Sequence, residues 1–177
     1  MFYGDALGSN VKMSEVNAAM GLTGLEPLGD FTEANRRNYR AYRDHLSRIP
    51  GISVFPHPEN EVCNYHYVVV TVNGNLTGLD RDALVTVLEA ENVFARRYFR
   101  PAGHRMETYR SLRPKPGLVL PVTEELSGCV MTLPTGRTIS PEDIERIVQI
   151  IAIACEKSEE IRAKIAVRQY EPNPARD

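Results

Sequence analysis

Apolar residues recur at helical spacing near the start of the chain, between Met13 and Leu28. This period predicts a helix with one buried face. The apolar positions of that face are Val16, Ala19, Met20, Leu22, Leu25 and Leu28. Gly21 and Gly24 lie inside the same stretch. Each glycine lowers the stability of a helix by about 1 kcal/mol relative to alanine. Alternatively, it marks close packing against a neighbouring element.

A second, more polar helix is expected in DFTEANRRNYRAYRDHLSRIPG, which begins at Asp30. Glu33 follows three residues later and completes a capping-box pattern, so the helix is predicted to start at Asp30. The Pro50-Gly51 pair is expected to end it. Acidic residues interleave with the tyrosines and arginines of this helix, which favours a solvated face over a nucleic-acid surface.

Short runs rich in β-branched and aromatic residues predict strands further along the chain. Two of them are ISVF at residues 52–55 and NYHYVVVTV at residues 64–72. A third strand is expected in FARRYFRPAGH, residues 94–104, where it runs out into a loop at the proline and glycine. The fourth is MTLP at residues 131–134.

Three further helices are expected between and after these strands. One occupies residues 79–93, behind Asp80, and another occupies residues 122–130. The clearest start is SPED at residues 140–143, which offers a cap residue, a proline at the first helical position and acids facing the positive end of the helix dipole. The helix that begins there is expected to run on toward Ile165.

Strands and helices that do not alternate strictly favour an α+β fold, a small and mainly antiparallel sheet covered by helices. A chain of 177 residues is long enough for one such unit with a real core. A single domain is therefore expected over residues 1–168, and residues 169–177 are expected to form a disordered tail.

Composition narrows the class of protein. The 42% apolar content is ordinary, and no apolar run approaches the roughly 18 residues of a membrane span. No basic segment followed by an apolar one stands at the N-terminus, and three scattered cysteines make no disulfide framework, so a cytoplasmic protein is expected. A net charge of −2 gives no basic field for nucleic acid.

The order of the motifs is more informative than any one of them. GSNVKMSEVNAAMGL, a long polar helix ending in PG, NYHYVVVTV, DRDALVTVLEAENVFARRYFRPAGH, LPVTEELSGCVMTLP and SPEDIERIVQII follow one another. This series closely resembles the C-terminal part of the DegT/StrS-type sugar aminotransferases, from about residue 3 to about residue 153. RYFRPAGHRMETYRS is most similar to enzymes acting on nucleotide-linked 4-keto-6-deoxy sugars.

The resemblance implies the aspartate aminotransferase fold, a pyridoxal-phosphate cofactor and a homodimer with its active sites at the subunit interface. It also implies that the Schiff-base lysine lies in an N-terminal domain ahead of this segment. Asn10 matches the asparagine that reaches the cofactor phosphate across the interface, and Lys12 matches a usually basic position beside it. A Gly-Ser-Asn before a helix is also a common cap, so a purely structural role for these residues stays open beside the phosphate contact.

By the same resemblance, Arg96, Tyr98 and His104 match positions of the loop that lines the sugar-nucleotide pocket. Guanidinium donors suit a diphosphate, and functional side chains often lie on loops held by a rigid scaffold. The alternative is that the strand arginines, Arg96 and Arg97, are solvated or paired with glutamates. Cys63 and His66 have the spacing of half a metal site, but no second pair at that spacing follows, so no metal site is expected.

Three hypotheses for function follow. The leading one is a truncated sugar aminotransferase, whose parent reaction transfers an amino group from glutamate to a nucleotide-linked 4-keto-6-deoxy sugar and which is inactive alone, without covalently bound pyridoxal phosphate. The second is a non-catalytic partner or sugar-nucleotide-binding subunit that completes an active site with a separate polypeptide. The third is a degenerate homologue. All three predict an apolar surface covered by self-association or by a partner.

Overall fold

The computed structural model of the chain describes residues 12–58, 60–98, 100–106 and 120–170. In this part there are seven α-helices: α1 (Glu15–Leu25), α2 (Leu28–Leu46), α3 (Gly74–Thr77), α4 (Arg81–Ala90), α5 (Pro121–Cys129), α6 (Pro141–Glu156) and α7 (Ser158–Tyr170). There are four strands: β1 (Ile52–Val54), β2 (Val68–Val72), β3 (Arg96–Arg97) and β4 (Val130–Leu133). A 3₁₀ turn spans Gly103–Arg105.

The four strands form one sheet in the order β1-β2-β4-β3, and every neighbouring pair is antiparallel. Ile52 lies opposite Val72, and Val70 lies opposite Met131, which in turn lies opposite Arg97. With helices packed on this sheet, the predicted α+β fold is confirmed.

The core lies between one face of the sheet and three helices. Successive residues of a strand point to opposite faces, and in β2 the alternate residues Val68, Val70 and Val72 are the buried ones. Helices α2, α4 and α6 supply the other side of the core. Their core residues are Tyr39, Tyr42, Leu46, Leu84, Val85, Leu88, Ile144, Ile147, Ile151 and Ala154.

Helix α2 also fixes the loops that follow β1 and β4. The Tyr39 hydroxyl donates to the carbonyl of Phe55 at 3.1 Å, and the Tyr42 hydroxyl donates to the carbonyl of Pro134 at 3.0 Å. The buried amide of Asn38 donates to the carbonyl of Gly136 at 2.9 Å. Burial raises the pKa of Tyr42 well above its usual range, and Asp143 adds to the effect, so the hydroxyl keeps its proton.

Helix α1 forms where its period predicts it, but the predicted buried face is wrong. None of its residues is buried, and the side chains of Val16, Met20, Leu22 and Leu25 are all exposed. The two residues between α1 and α2 end in Pro27, which stands at the N-cap of α2. The spacing therefore predicted the helix correctly, but the apolar side chains are spread around α1 and the described part of the chain buries none of them.

The predicted start of the second helix is also wrong. Helix α2 begins at Leu28, Pro27 caps it without a side-chain hydrogen bond, and Asp30 lies in its first turn. Glu33 pairs with Arg36 instead of reaching back to a cap. The capping box forms at α6, where Asp143 N–H donates to Ser140 Oγ and Ser140 N–H donates to the Asp143 carboxylate, each at 3.1 Å.

Several predicted boundaries shift. Residues 64–67 precede β2 instead of belonging to it, and the last helix divides at Lys157 into α6 and α7. The chain is helical to Tyr170, and residues 171–177 lie outside the described part, so the domain limit and the tail remain predictions. Within the described ranges, no helix is both long and apolar enough to cross a bilayer.

Candidate functional site

An aromatic cleft of about 360 Å³ opens beside the sheet. Its described lining residues are Phe55, His57, Cys63, Asn64, His66, Tyr67, Val69 and Tyr98. Val69 alternates with the buried residues of β2, so the cleft lies on the sheet face that points away from the core helices. Tyr98, predicted from the sequence as a substrate-binding residue, is part of its wall.

Backbone pairing at the strand ends brings these side chains together. The N–H of Phe55 donates to the carbonyl of Val69 at 2.8 Å, and the N–H of Tyr98 donates to the carbonyl of Val130 at 3.4 Å. Both contacts continue the ladder past the end of a strand. The rings of Tyr67 and Tyr98 are 5.3 Å apart between centroids, a separation at which aromatic pairs attract.

Arg96 lies on the same face as this wall. It is opposite Thr132 in the register and two positions before Tyr98 along the extended backbone, so the two side chains share a side of the sheet. Arg96 is exposed, and within the described ranges it makes no ion pair. Its guanidinium can therefore bind an anionic group beside the aromatic surface.

The side chain of Arg97 lies on the opposite face of the sheet from Arg96 and forms ion pairs with α4. Its guanidinium donates to the carboxylate of Asp82 on α4 at 2.8 Å and lies 3.5 Å from Glu89. Arg100 and Arg81 contact the same Asp82 carboxylate. For Arg97, the alternative that the strand arginines are paired with acidic side chains is the correct one.

Arg81 is a buried cation that ties α4 to α5 and β4. Its side chain is fully buried and donates to the carbonyl of Ser127 at 2.8 Å and to the carbonyl of Val130. Burial lowers the pKa of Arg81, with smaller contributions from Arg100 and Arg97. Each of its three nitrogens has an acceptor, as a buried charge requires.

His104 and Arg105 converge on Glu124 of α5. The Nε2 atom of His104 and the Nε atom of Arg105 are each 2.6 Å from Glu124 Oε1. The hydrogen bond from His104, followed by that from Arg105, holds the pKa of the Glu124 carboxyl below its ordinary value. His104 therefore has a carboxylate partner, Glu124, that orients its ring.

Asn10 and Lys12 are the two residues predicted to contact the cofactor phosphate. Asn10 lies outside the described residues, as do residues 1–11 as a whole. Lys12 is exposed, two positions before Ser14, whose hydroxyl caps α1 by accepting from the N–H of Asn17 at 3.3 Å. The phosphate contact therefore remains a prediction.

The described residues do not by themselves fit a pyridoxal-phosphate site. A Schiff base needs a lysine facing the bound ring, and the described cleft wall contains no lysine. Of the lysines in the described part, Lys12, Lys157 and Lys164 are exposed. No catalytic step through the cofactor follows from this set of side chains.

Sequence reasoning missed the acidic partners Asp82 and Glu124 and the aromatic residues Phe55 and Tyr67. The acids stand 15 and 20 residues from Arg97 and His104 along the chain. No spacing rule links them. Cys63 and His66, singled out as half a metal site, both line the cleft, and in the described ranges no three His, Cys, Asp or Glu side chains group as metal ligands.

Comparisons with known proteins match most of the chain. The model of the DegT/DnrJ/EryC1/StrS aminotransferase family matches residues 1–152. A dTDP-4-amino-4,6-dideoxy-D-glucose transaminase from Shigella dysenteriae is 35% identical over 147 residues, and one from Escherichia coli is 30% identical over 146 residues. Each alignment covers 82% of this chain and 39% of the relative, so the chain spans about two fifths of their length.

Solved structures are also similar to this chain in fold. The solved structure of DesI in the presence of its TDP-sugar product is 40% identical, with a TM-score of 0.81, over 90% of this chain and 40% of DesI. The aminotransferase TlmJ from Streptoalloteichus hindustanus has a TM-score of 0.70 at 22% identity, a likeness that concerns the fold alone.

Proposed function

The chain belongs to the DegT/DnrJ/EryC1/StrS aminotransferase family, and from this premise we propose that it forms the C-terminal domain of a nucleotide-sugar aminotransferase. The proposed reaction is amino transfer from glutamate to a nucleotide-linked 4-keto-6-deoxy sugar. The observation that carries it is the likeness, in sequence and fold together, to DesI with its TDP-sugar product. The two related transaminases act on a sugar of the same class by their names.

Arg96 and Tyr98 are proposed to contact the sugar nucleotide. The exposed Arg96 guanidinium suits a diphosphate, because planar donors bind phosphate oxygens in pairs. The Tyr98 ring offers an aromatic surface next to it. His104 is proposed to bind the same substrate from the neighbouring loop, with Glu124 orienting its ring.

Asn10 and Lys12 are proposed to contact the phosphate of pyridoxal phosphate in a homodimer. The family's cofactor supplies an electron sink for the amino transfer. Because the described residues hold no lysine at the cleft, the 177-residue polypeptide alone is proposed to bind the sugar nucleotide without catalysing the transfer.

A second candidate is a non-catalytic subunit that completes an active site with a separate polypeptide. The exposed apolar side chains of α1 favour association of this kind. The two candidates differ in where the catalytic lysine is supplied, in the same polypeptide chain or in another one.

Titration of the 177-residue chain with TDP and with a TDP-linked amino sugar tests the substrate assignment. We expect nuclear magnetic resonance shifts at Arg96 and Tyr98, and we expect Arg96→Gln to weaken the affinity about tenfold, the effect of one charge-assisted hydrogen bond. Arg40→Gln, at an exposed arginine of α2, is the matched control. Shifts away from Arg96 and Tyr98, or equal losses in both variants, would contradict the assignment.

Borohydride reduction in the presence of pyridoxal phosphate, followed by intact mass, tests the statement on catalysis. We expect no stoichiometric pyridoxyl adduct on one lysine. A single specific adduct would show a Schiff-base lysine within these 177 residues and would overturn it.

A further inference from the structure

The three cysteines have the same intermediate exposure but different neighbours. Cys129, at the end of α5, lies 3.7 Å from the carbonyl of Leu126. Cys155 lies on α6, where burial, followed by the charge of Glu156, raises the pKa of its thiol. Cys63 is a wall residue of the aromatic cleft. Exposure alone therefore does not rank their reactivity, and the groups around each sulfur decide it.

Two groups near Cys63 favour attack by its sulfur. The Sγ atom is 3.5 Å from Nδ1 of His57, within reach for that nitrogen to accept the thiol proton. The backbone N–H of Tyr65 donates to the same sulfur at 3.3 Å, and such a donor stabilises a thiolate. A cysteine with an adjacent imidazole base is the usual arrangement of an activated thiol nucleophile.

The His57 ring is held in place by its surroundings. It packs edge-on against Tyr39 and Tyr65, with centroid distances of 4.9 and 5.2 Å, and its backbone N–H donates to the Tyr39 hydroxyl at 3.3 Å. Tyr39 is itself buried in the core. A base whose orientation is fixed in advance needs no reorganisation to take the proton.

We propose that Cys63 and His57 form a nucleophile–base pair, and that the aromatic cleft directs it toward electrophiles carrying a flat apolar group. The chemical class is an activated alkene conjugated to a carbonyl. The sulfur adds to the alkene, so one S–C bond forms and the C=C π bond breaks. The thiol proton passes to His57 Nδ1 and then to the neighbouring carbon of the adduct, and no further reactant is needed.

The cleft wall supplies the selectivity. Phe55, Tyr67, Tyr98 and Val69 line the cleft together with Cys63. A planar aromatic substituent buries its surface against these rings, whereas a small aliphatic one does not. This inference does not depend on the proposed aminotransferase function, because it concerns only the thiol and the wall of the cleft.

Competitive labelling with limiting N-ethylmaleimide and N-phenylmaleimide, followed by peptide mass spectrometry, tests both parts. We expect Cys63 to react about tenfold faster than Cys129 with either reagent, since an adjacent imidazole can take the thiol proton as the sulfur attacks. We further expect the phenyl reagent to be favoured several-fold over the ethyl reagent at Cys63 and not at Cys129. Equal rates at the two cysteines in the wild-type chain would overturn the proposal.

Variants separate the base from the cleft. His57→Gln should lower the Cys63 rate about tenfold toward that of Cys129, while His45→Gln on α2 is the matched control and should leave it unchanged. Tyr98→Ala should remove the preference for the phenyl reagent and keep the dependence on His57. Equal Cys63 rates in the two histidine variants would show that His57 is not the base. If His57→Gln does not fold, equal rates at Cys63 and Cys129 in the wild-type chain still overturn the proposal.

Discussion

Helices α1 and α6 are both rich in apolar residues, but those of α1 are exposed and those of α6 are buried. In α1, Val16 is 68% exposed and Met20 is 69% exposed. In α6, Ile144 is 1% exposed and Ile151 is fully buried. Apolar residues at helical spacing thus predict a helix, and they carry no information on whether the described chain covers them.

The difference comes from where each helix is attached. Helix α6 follows β4, a strand whose four residues are all buried, and it packs between α2 and α4 over the sheet. Helix α1 precedes α2 across Glu26 and Pro27, and its residues lie outside the core cluster. Full burial of one leucine or valine side chain stabilises the folded state by about 1.5–3 kcal/mol. The exposed apolar side chains of α1 do not make this contribution.

The largest contrast is expected from truncating one apolar side chain in each helix. Ile151→Ala should lower the free energy of unfolding by about 3 kcal/mol, because it removes buried methyl groups and leaves a cavity. Leu22→Ala should change it by less than about 0.5 kcal/mol, since the leucine is exposed and alanine is an equally good helix former.

Urea unfolding followed by circular dichroism measures both variants. A loss at Leu22→Ala comparable to that at Ile151→Ala would mean that the apolar side chains of α1 are buried in solution. Dilution of the wild-type chain would then be expected to lower its stability, because burial through association depends on concentration.

A smaller contrast is expected from the two serine caps. Ser140→Ala should lower the free energy of unfolding by about 1 kcal/mol, because the capping box it removes begins a helix that is part of the core. Ser14→Ala removes an equivalent hydroxyl from α1. It should leave global stability unchanged and reduce only the hydrogen-exchange protection of the first amides of α1.

The result that would contradict this comparison is a global loss of stability in Ser14→Ala equal to that in Ser140→Ala. Such a loss would mean that α1 unfolds together with the core.

The smallest effect is expected from pH at the start of α6. Hydrogen bonds from the Ser140 backbone and hydroxyl hold the pKa of Asp143 below its ordinary value. The stabilising contribution is therefore present above the unfolded-state pKa of about 3.9 and is lost as the pH falls through the lower folded-state value. In Asp143→Asn, stability should fall less between neutral pH and strongly acidic pH than in the wild-type chain.

Unfolding midpoints measured across this pH range check the sign. Glu15→Gln, at the first residue of the exposed helix, is the matched control and should follow the wild-type curve. An unchanged acid slope in Asp143→Asn would show that the capping carboxylate does not contribute.

The predicted capping box at Asp30 and the predicted cap at Ser140 show why one local signal failed and the other succeeded. Asp30 and Glu33 have the same spacing as Ser140 and Asp143. Residues 28 and 29 impose no break, so α2 starts as soon as the chain passes Pro27, and Asp30 falls inside the helix. Ser140 stands directly before a proline at the first helical position, which fixes the start there.

The candidate site was predictable only in part. The resemblance of the motifs pointed to Arg96, Tyr98 and His104, and the strand alternation separates Arg96 and Tyr98 from Arg97. The aromatic cleft joins residues from the end of β1, the segment before β2 and the end of β3. Those segments meet because of the strand order, which no local pattern in the chain encodes.

The sequence by itself determined the helical and strand periods, the Ser140 cap and the family to which the chain belongs, because these depend on residues close together or on motifs in order. Only the tertiary structure decided which apolar side chains are covered, that Arg97 is ion-paired while Arg96 has no ion pair among the described residues, and that Cys63 lies beside His57. Those outcomes depend on which distant segments the antiparallel sheet brings within a few ångströms of each other, and burial and pairing free energies are set by these neighbours and not by sequence spacing.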